Sequence, residues 1–529
     1  MNYSKNIDNI IFFFIFFISV NILLYRYTYN SFPGDLGDTI FSLFILESFY
    51  NSYVNNISFS DLVYQFPLKN NIFFSETMWG SAWIYSIFRF LGVETLDSFR
   101  FYFITCSVLN YVICYIVLRK FKLSFQSALI ASFIFSFSLP IIAQDVRPQL
   151  LTRFYIPLSF YFYYRYIDKF ELKYFNYCLF FIFFQTLSSM YLGIFLIIFL
   201  ISMHIIQFIQ KYEMPDLNLN KFIKIKFKNK ILVLYFLVLI GLFFFYLYNY
   251  YYITSIYDFK RGYPEEGLIN IFSFLTTDRS FLAFKRILPE IYPLGEQQLY
   301  LGISIYLFII ILYKYRKILK QNIFLKLISQ TTVINFFLYF SFFGASVFLF
   351  LYYFPGLSGL RAPSRSILVI IFPISLIIGL YIDKIFKLRK NFFFAKYLLI
   401  FLFLIEILSA KITTSKYETI EKKIQSISKD VEDIPKNKIL VFKQTKNYVE
   451  NYHNDVFFGL YAVINNIKIF NGYTSFIPQF SRPFFNCDEF KKYIFDLNEF
   501  HKNKNIEKRN FIDSDIQFIN FEKNCYDFE

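Results

Sequence analysis

Apolar residues recur along most of the chain in runs near the twenty residues that cross a bilayer as a helix, with polar residues gathered between them. The runs cover residues 10–24, 99–118, 127–143, a stretch from about 151 to 165, 231–252, 299–313, 331–354, 366–382 and 393–410. A further stretch, 174–208, is too long for one ordinary span and is interrupted by Ser188-Ser189-Met190-Tyr191-Leu192-Gly193. Two short helices meeting at Ser188 put the loop with Lys221, Lys224, Lys226, Lys228 and Lys230 on the same side as the other basic loops, as the positive-inside rule requires. The pattern predicts about eleven spans with a cytoplasmic N-terminus. It also predicts a long first outer loop, residues 25–98, in which 40–54 and 78–91 lie as amphipathic helices in the interface plane. After residue 410 the period changes. A Lys/Glu-rich helical stretch is followed by predicted strands at 438–442 and at 467–470, the latter before the Asn471-Gly472 turn. The fold class is therefore an all-α polytopic membrane protein, with a transmembrane domain at 1–410 and a small α/β extracytoplasmic domain at 411–529.

Composition narrows the function. Hydrophobic residues make up 56% and charged residues 17%, too little charge for a soluble chain of this length. The net charge of +16 sits in short loops between spans, with no basic tail interleaved with base-stacking aromatics, so nucleic acid is not the expected partner. Of five cysteines, Cys106, Cys114 and Cys178 fall in spans, while Cys487 and Cys525 share the C-terminal region, where an oxidising compartment would allow a disulfide. No Cys/His cluster has metal-ligand spacing. The first apolar run lacks a small-residue cleavage site before Pro33, so it is expected to stay as the first helix.

No phosphate loop or dinucleotide fingerprint occurs, and the cytoplasmic loops are short. If a chemical group is moved, its donor arrives through the bilayer. The chain has three histidines, His204, His453 and His501, none in the first outer loop, so a general base there would be a carboxylate. Asp35 and Asp38 in Pro33-Gly34-Asp35-Leu36-Gly37-Asp38-Thr39 are the first candidates, Glu47 and Glu76 the next. Spacing alone favours a turn for Pro-Gly-Asp and an N-cap role for Asp38. Arg361 and Arg365, four apart at the outer end of the tenth span, can share a helix face and grip a phosphate, or else pair with lipid headgroups or first-loop aspartates. Arg147 and Arg153 are weaker candidates of the same kind. Asp258, Glu265, Glu266 and Glu290 read as a solvated face.

Several pieces resemble the GT-C superfamily of membrane glycosyltransferases. They are Gly34-Asp35-Leu36-Gly37-Asp38 with the Glu47 helix after it, Gln149-Leu150 through Pro157, Ser188 through Gly193, Leu360-Arg361-Ala362-Pro363-Ser364-Arg365, and Asn471-Gly472-Tyr473. The resemblance implies a polyprenyl-phosphate-linked sugar as donor, an acceptor glycan or lipid, and an essential acid in the first outer loop. Asp38 matches that acid best and Asp35 is the alternative; Thr39 stands where the family usually carries a second acid. The implied reaction is an inverting sugar transfer, with Asp38 as base and Arg361, Arg365 and Arg153 on the lipid phosphate. No cofactor is assigned, and a divalent metal stays open as a second source of positive charge. A flippase of lipid-linked sugars and a non-catalytic membrane scaffold are the alternatives; His204 and Gln185 are nearly all the polarity a transport path would find inside the spans.

Overall fold

The computed structural model describes the chain except residues 1, 56–57, 212–229, 258, 260–266, 291, 315–322, 343–344, 354–356, 389–392, 436, 475–477, 479–482, 505–515 and 522–529. It is mostly helical. In chain order the helices are α1 (Asn2–Thr28), α2 (Asp38–Val54), α3 (Trp79–Phe90), α4 (Thr95–Lys120), α5 (Phe125–Phe137), α6 (Leu139–Ile142), α7 (Tyr155–Lys169), α8 (Leu172–Ser188), α9 (Met190–Lys211) and α10 (Lys230–Tyr257). They continue as α11 (Leu294–Gln297), α12 (Ile303–Lys314), α13 (Ile323–Tyr339), α14 (Val347–Tyr352), α15 (Ile367–Leu388), α16 (Phe393–Leu408), α17 (Tyr417–Val431), α18 (Tyr448–Asn465) and α19 (Cys487–Asn503). Among the described residues, short strands join them: β1 (Ser31–Pro33), β2 (Thr414–Lys416), β3 (Ile439–Phe442), β4 (Lys468–Ile469) and β5 (Ile516–Ile519).

Among the described residues, six stretches are long and apolar enough to cross a membrane: Asp8–Thr28, Thr95–Lys120, Phe125–Ile142, Met190–Ile209, Lys230–Tyr257 and Pro363–Asp383. The chain is a multi-pass membrane protein by this measure. The Phe125–Ile142 stretch is 83% buried and Lys230–Tyr257 only 11%, so α5 stands at the centre of the bundle and α10 at its rim. The rim is apolar: Phe13, Phe14, Phe17, Ile231, Leu234 and Phe245 all face outward. Exposed apolar side chains in that number are stable only against lipid. At the centre α5 packs on α15, with Phe135 edge-on to Phe372, and Asp383 of α15 accepts from the backbone N–H of Ser124 at 2.6 Å, holding the N-terminus of α5.

The interruption expected at Ser188 falls at Ser189, whose extended backbone separates α8 from α9. Gly193 lies so close to Thr186 that a Cβ would collide with it, which fixes how α9 leaves the break. The predicted span at 331–354 is not one helix. After Tyr339 the backbone turns aside to pair with Ile269, with Ile269 N–H on the Tyr339 carbonyl at 3.1 Å and Ser341 N–H on the Ile269 carbonyl at 2.7 Å, and α14 is a separate short piece. The lysine-rich loop between α9 and α10, and Asp258, Glu265 and Glu266, lie outside the described residues.

The first loop and the C-terminal residues form one head on the bundle. β1 pairs antiparallel with β2, and β4-β3-β5 form a parallel sheet. The loop segment 63–66 then adds to the β4 edge, where Ile469 N–H donates to Val63 at 2.9 Å and Phe66 N–H to Ile469 at 2.9 Å. Phe32, Phe44, Tyr64 and Phe74 from the loop share a core with Ile420, Leu440, Phe458 and Phe490 from the C-terminal part. The division expected at residue 410 is thus not a division of the hydrophobic core. Nor is α2 an interfacial helix: it is buried on most of its circumference between α3 and α18, from Thr39 through Ser48. α3 does carry an exposed apolar face, with Trp83, Ile87 and Phe90 outward.

Candidate functional site

The two aspartates of the opening turn take different roles. Asp35 Oδ1 accepts from the backbone N–H groups of Gly37 at 3.2 Å and Thr39 at 3.1 Å, while Thr39 Oγ1 accepts from Asp35 N–H at 3.0 Å. This reciprocal pair satisfies donors of the first turn of α2 that have no helical partner. Burial pushes the Asp35 carboxyl above its ordinary range, against the pull of the Thr39 and Gly37 N–H groups. The cap expected of Asp38 is therefore supplied by Asp35. Asp38 is instead the first residue of α2, and its side chain lines a cleft between head and bundle.

Asp38 is held from both sides. Its Oδ1 accepts from the Tyr452 hydroxyl at 2.8 Å, and its Oδ2 lies 3.9 Å from Arg147 Nε. Tyr452 comes from α18, in the C-terminal part. A Cβ on Gly37 would fall on the Tyr452 ring, so glycine at this position lets the phenol reach the helix start. Burial, then the Asp38 charge, raises the phenol well above its ordinary value and keeps it a proton donor.

The same cleft is lined by Glu76, Tyr191, Gln149, Arg361, Arg365 and Tyr473. Glu76 Oε1 accepts from Ser189 Oγ at 3.1 Å and from Tyr191 N–H at 3.4 Å, at the N-terminus of α9, where the helix dipole favours a negative charge. Arg361 is exposed, and its positive charge acts on Glu296. Arg365 is the reverse. It is buried, donates through Nε and Nη2 to Glu296 at 3.1 and 2.6 Å, and lies 4.6 Å over the Tyr191 ring. Arg147 Nη2 reaches the same Glu296 at 3.2 Å. Although burial alone would raise it, the guanidinium groups of Arg365 and Arg147 hold the Glu296 carboxyl at about 2. A relay of alternating charge thus runs from Asp38 through Arg147 and Glu296 to Arg365.

Three sequence expectations change here. Arg361 and Arg365 do not share a helix face, because Arg361 precedes the 3-10 turn Pro363–Ser366 and α15 begins only at Ile367; Arg365 is taken up by Glu296, and Arg361 is the exposed one of the two. Glu47 does not line the cleft. Its carboxylate is saturated by Arg89 Nε and Nη2, both at 3.0 Å, and by the Tyr85 hydroxyl, which pins α2 to α3. Arg153 is also away from the cleft. It is buried beside a separate cavity, donates to the Ser136 carbonyl at 3.3 Å and lies 5.5 Å over Phe135, closing the C-terminus of α5. Cys487 opens α19, and its expected partner Cys525 lies outside the described residues.

Sequence reading passed over Glu296 and Tyr452. Glu296 is one acid among several in its loop, and no local pattern marks Tyr452 among 45 tyrosines. Among the described residues no three His, Cys, Asp or Glu side chains converge on a metal position. Asp38 and Glu76 are the acids among the residues that line the cleft, and Tyr452 engages Oδ1 of Asp38. Set against protein-family models and against curated proteins, the chain matches none.

Proposed function

We propose that the protein is a membrane glycosyltransferase of GT-C type, moving a sugar from a polyprenyl-phosphate carrier to a glycan or lipid acceptor on the non-cytoplasmic face. One observation carries the reading. A carboxylate at the start of α2 and an exposed guanidinium before α15, far apart in the chain, line one cleft where the head meets the bundle. Inverting transfer needs both: a base for the acceptor hydroxyl and a cation for the departing phosphate. In this reading Asp38 Oδ2 takes the acceptor proton as the acceptor oxygen bonds to the sugar C1. The bond from C1 to the phosphate oxygen breaks, and its electron pair leaves with the lipid phosphate against Arg361. Arg365, neutralised by Glu296, is the floor that sets Tyr191 and Arg147 in place rather than a phosphate ligand. The carrier's tail would run down the lipid-facing side of the bundle. Eleven passes with an extracytoplasmic head belong to the same reading, with α7, α8, α12, α13 and α16 as shorter passes beside the six long stretches.

The test is transfer from a radiolabelled polyprenyl-phosphate sugar by the purified chain. Asp38→Asn is expected to lower kcat by at least about a hundredfold, the scale of a lost general base, with an unchanged unfolding midpoint. Arg361→Gln is expected to raise KM for the lipid donor. Full turnover by Asp38→Asn would remove the base and the mechanism with it.

A further inference from the structure

Towards the end of the bundle away from the cleft, α7, α8, α9 and α10 border a groove of about 480 Å³. Two of these helices reach both places and give the direction. α9 lines the cleft with Tyr191 and the groove with His204, thirteen residues on, which is roughly 20 Å along the helix axis. α10 lines the cleft with Tyr250 and the groove with Leu239. The groove wall is apolar, with Phe183 and Phe243 among its larger side chains, and the Tyr163 hydroxyl and His204 Nδ1 meet each other at 2.9 Å. Ile201, Ile205 and Phe244 also line it and are more than half exposed, so it opens sideways to the bilayer. An apolar recess facing lipid suits a hydrocarbon chain.

About one helical turn beyond Tyr166 and Phe175 of its wall, the hairpin of α7 and α8 closes, and there cations gather on one ring. Arg165 Cζ, Lys169 Nζ and Lys173 Nζ lie 5.3, 5.9 and 5.0 Å from the centre of the Tyr174 ring, and Arg165 Nη2 donates to the Tyr174 hydroxyl at 3.4 Å. Lys230 opens α10 at the same end, where Asn176 Nδ2 of α8 donates to the Leu232 carbonyl at 2.9 Å. The acids of this hairpin do not balance these charges. Glu171 is engaged by Lys173 at 2.7 Å, and Asp168 stands alone against Arg165, Lys169 and Lys230. Arg165 Nε is buried without a hydrogen-bond partner among the described residues. Excess positive charge at the mouth of an apolar groove between membrane helices complements a ligand that joins a phosphate to a long hydrocarbon chain.

We propose that the groove holds an acyl chain of an anionic glycerophospholipid from the leaflet opposite the cleft, with the lipid phosphate on Arg165 and Lys169. The site needs only a membrane-embedded chain and stands apart from the glycosyl-transfer reading. Full-length protein, delipidated in detergent, is titrated with phosphatidylglycerol and, separately, with phosphatidylcholine, and bound lipid is counted by native mass spectrometry. Wild type is expected to bind its first phosphatidylglycerol at least about tenfold more tightly than phosphatidylcholine, and Arg165→Gln/Lys169→Gln to lose that preference. Ile201→Trp fills the groove from its exposed rim and leaves every charge in place; it is expected to weaken both lipids at least about fivefold at an unchanged unfolding midpoint. Lys422→Gln/Lys423→Gln, on α17 in the head, is expected to keep the preference. Equal affinity for the two lipids, a preference that survives loss of Arg165 and Lys169, or undiminished binding by Ile201→Trp would overturn the site. Polyprenyl phosphate that displaces phosphatidylglycerol equally well from wild type and from Arg165→Gln/Lys169→Gln would give the groove to a carrier tail entering from the cleft, and would overturn the phospholipid assignment too.

Discussion

Tyr452 meets Asp38 across 414 residues of chain, and that hydrogen bond is where the head acts on the proposed base. A hydrogen bond to a charged group contributes roughly 1.5–3 kcal/mol, and this one also fixes the orientation of the carboxylate. Tyr452→Phe is therefore expected to lower kcat by roughly tenfold or more, with KM for the donor unchanged. A wild-type kcat in this variant would reduce Tyr452 to a packing residue. Glu296 makes a second prediction of opposite character. Its carboxyl lies near 2 in the folded protein, below its ordinary value of 4.5, so its pairing stabilises the fold above about pH 4.5 and that contribution is lost as pH falls towards 2. The depression corresponds to roughly 3 kcal/mol. Thermal unfolding between pH 5 and 2.5 should show the loss in wild type, while Glu296→Gln, already less stable at pH 7, should lack this component.

Single elements are held by paired charges as much as by apolar contact. α2 has so little polar circumference that Glu47 must be buried, and Arg89 makes that burial tolerable. Removing one partner of a buried pair typically costs about 3–5 kcal/mol, because the other charge is left alone. Glu47→Ala is expected to destabilise by that amount, and Glu47→Met/Arg89→Met to recover a good part of it in the same chemical-denaturation assay. A double variant no better than the single one would show that the shape of the pair matters, not its charge. α2 was legible in sequence as a helix but not as a buried one. Its apolar residues surround it, and only α18, more than 400 residues on, shows what covers the second face.

For the whole molecule, head and bundle cannot be parted at residue 410. β1 is covered by β2, and Arg26 at the end of α1 donates to the carbonyls of Leu408 and Ala410 at 2.7 and 2.6 Å. Truncation after Ala410 uncovers Phe44, Tyr64 and Phe74 and leaves the β1 edge open. The expected outcome is aggregation on size-exclusion chromatography in detergent; a monodisperse 1–410 fragment would contradict a shared core.

Runs of apolar residues by themselves determined that this chain lives in a membrane, because the bilayer imposes one length and one polarity on whatever crosses it; the break between α8 and α9 was read from the charge of the loop that follows, and the break after Tyr339 was not read at all. The turn at residues 33–38 was equally legible, since glycine and aspartate leave the backbone few choices there. Which aspartate caps and which faces the cleft was not, because both fit the same local spacing. Nor could spacing say that Arg365 is neutralised while Arg361 stays exposed: a charge is cancelled by its neighbours in space, and Glu296 becomes one only when the segment before α12 folds back onto the turn that precedes α15. The tertiary structure alone decided those pairings, since Coulomb attraction and hydrogen bonding depend on separations of a few ångströms that contacts distant in sequence create.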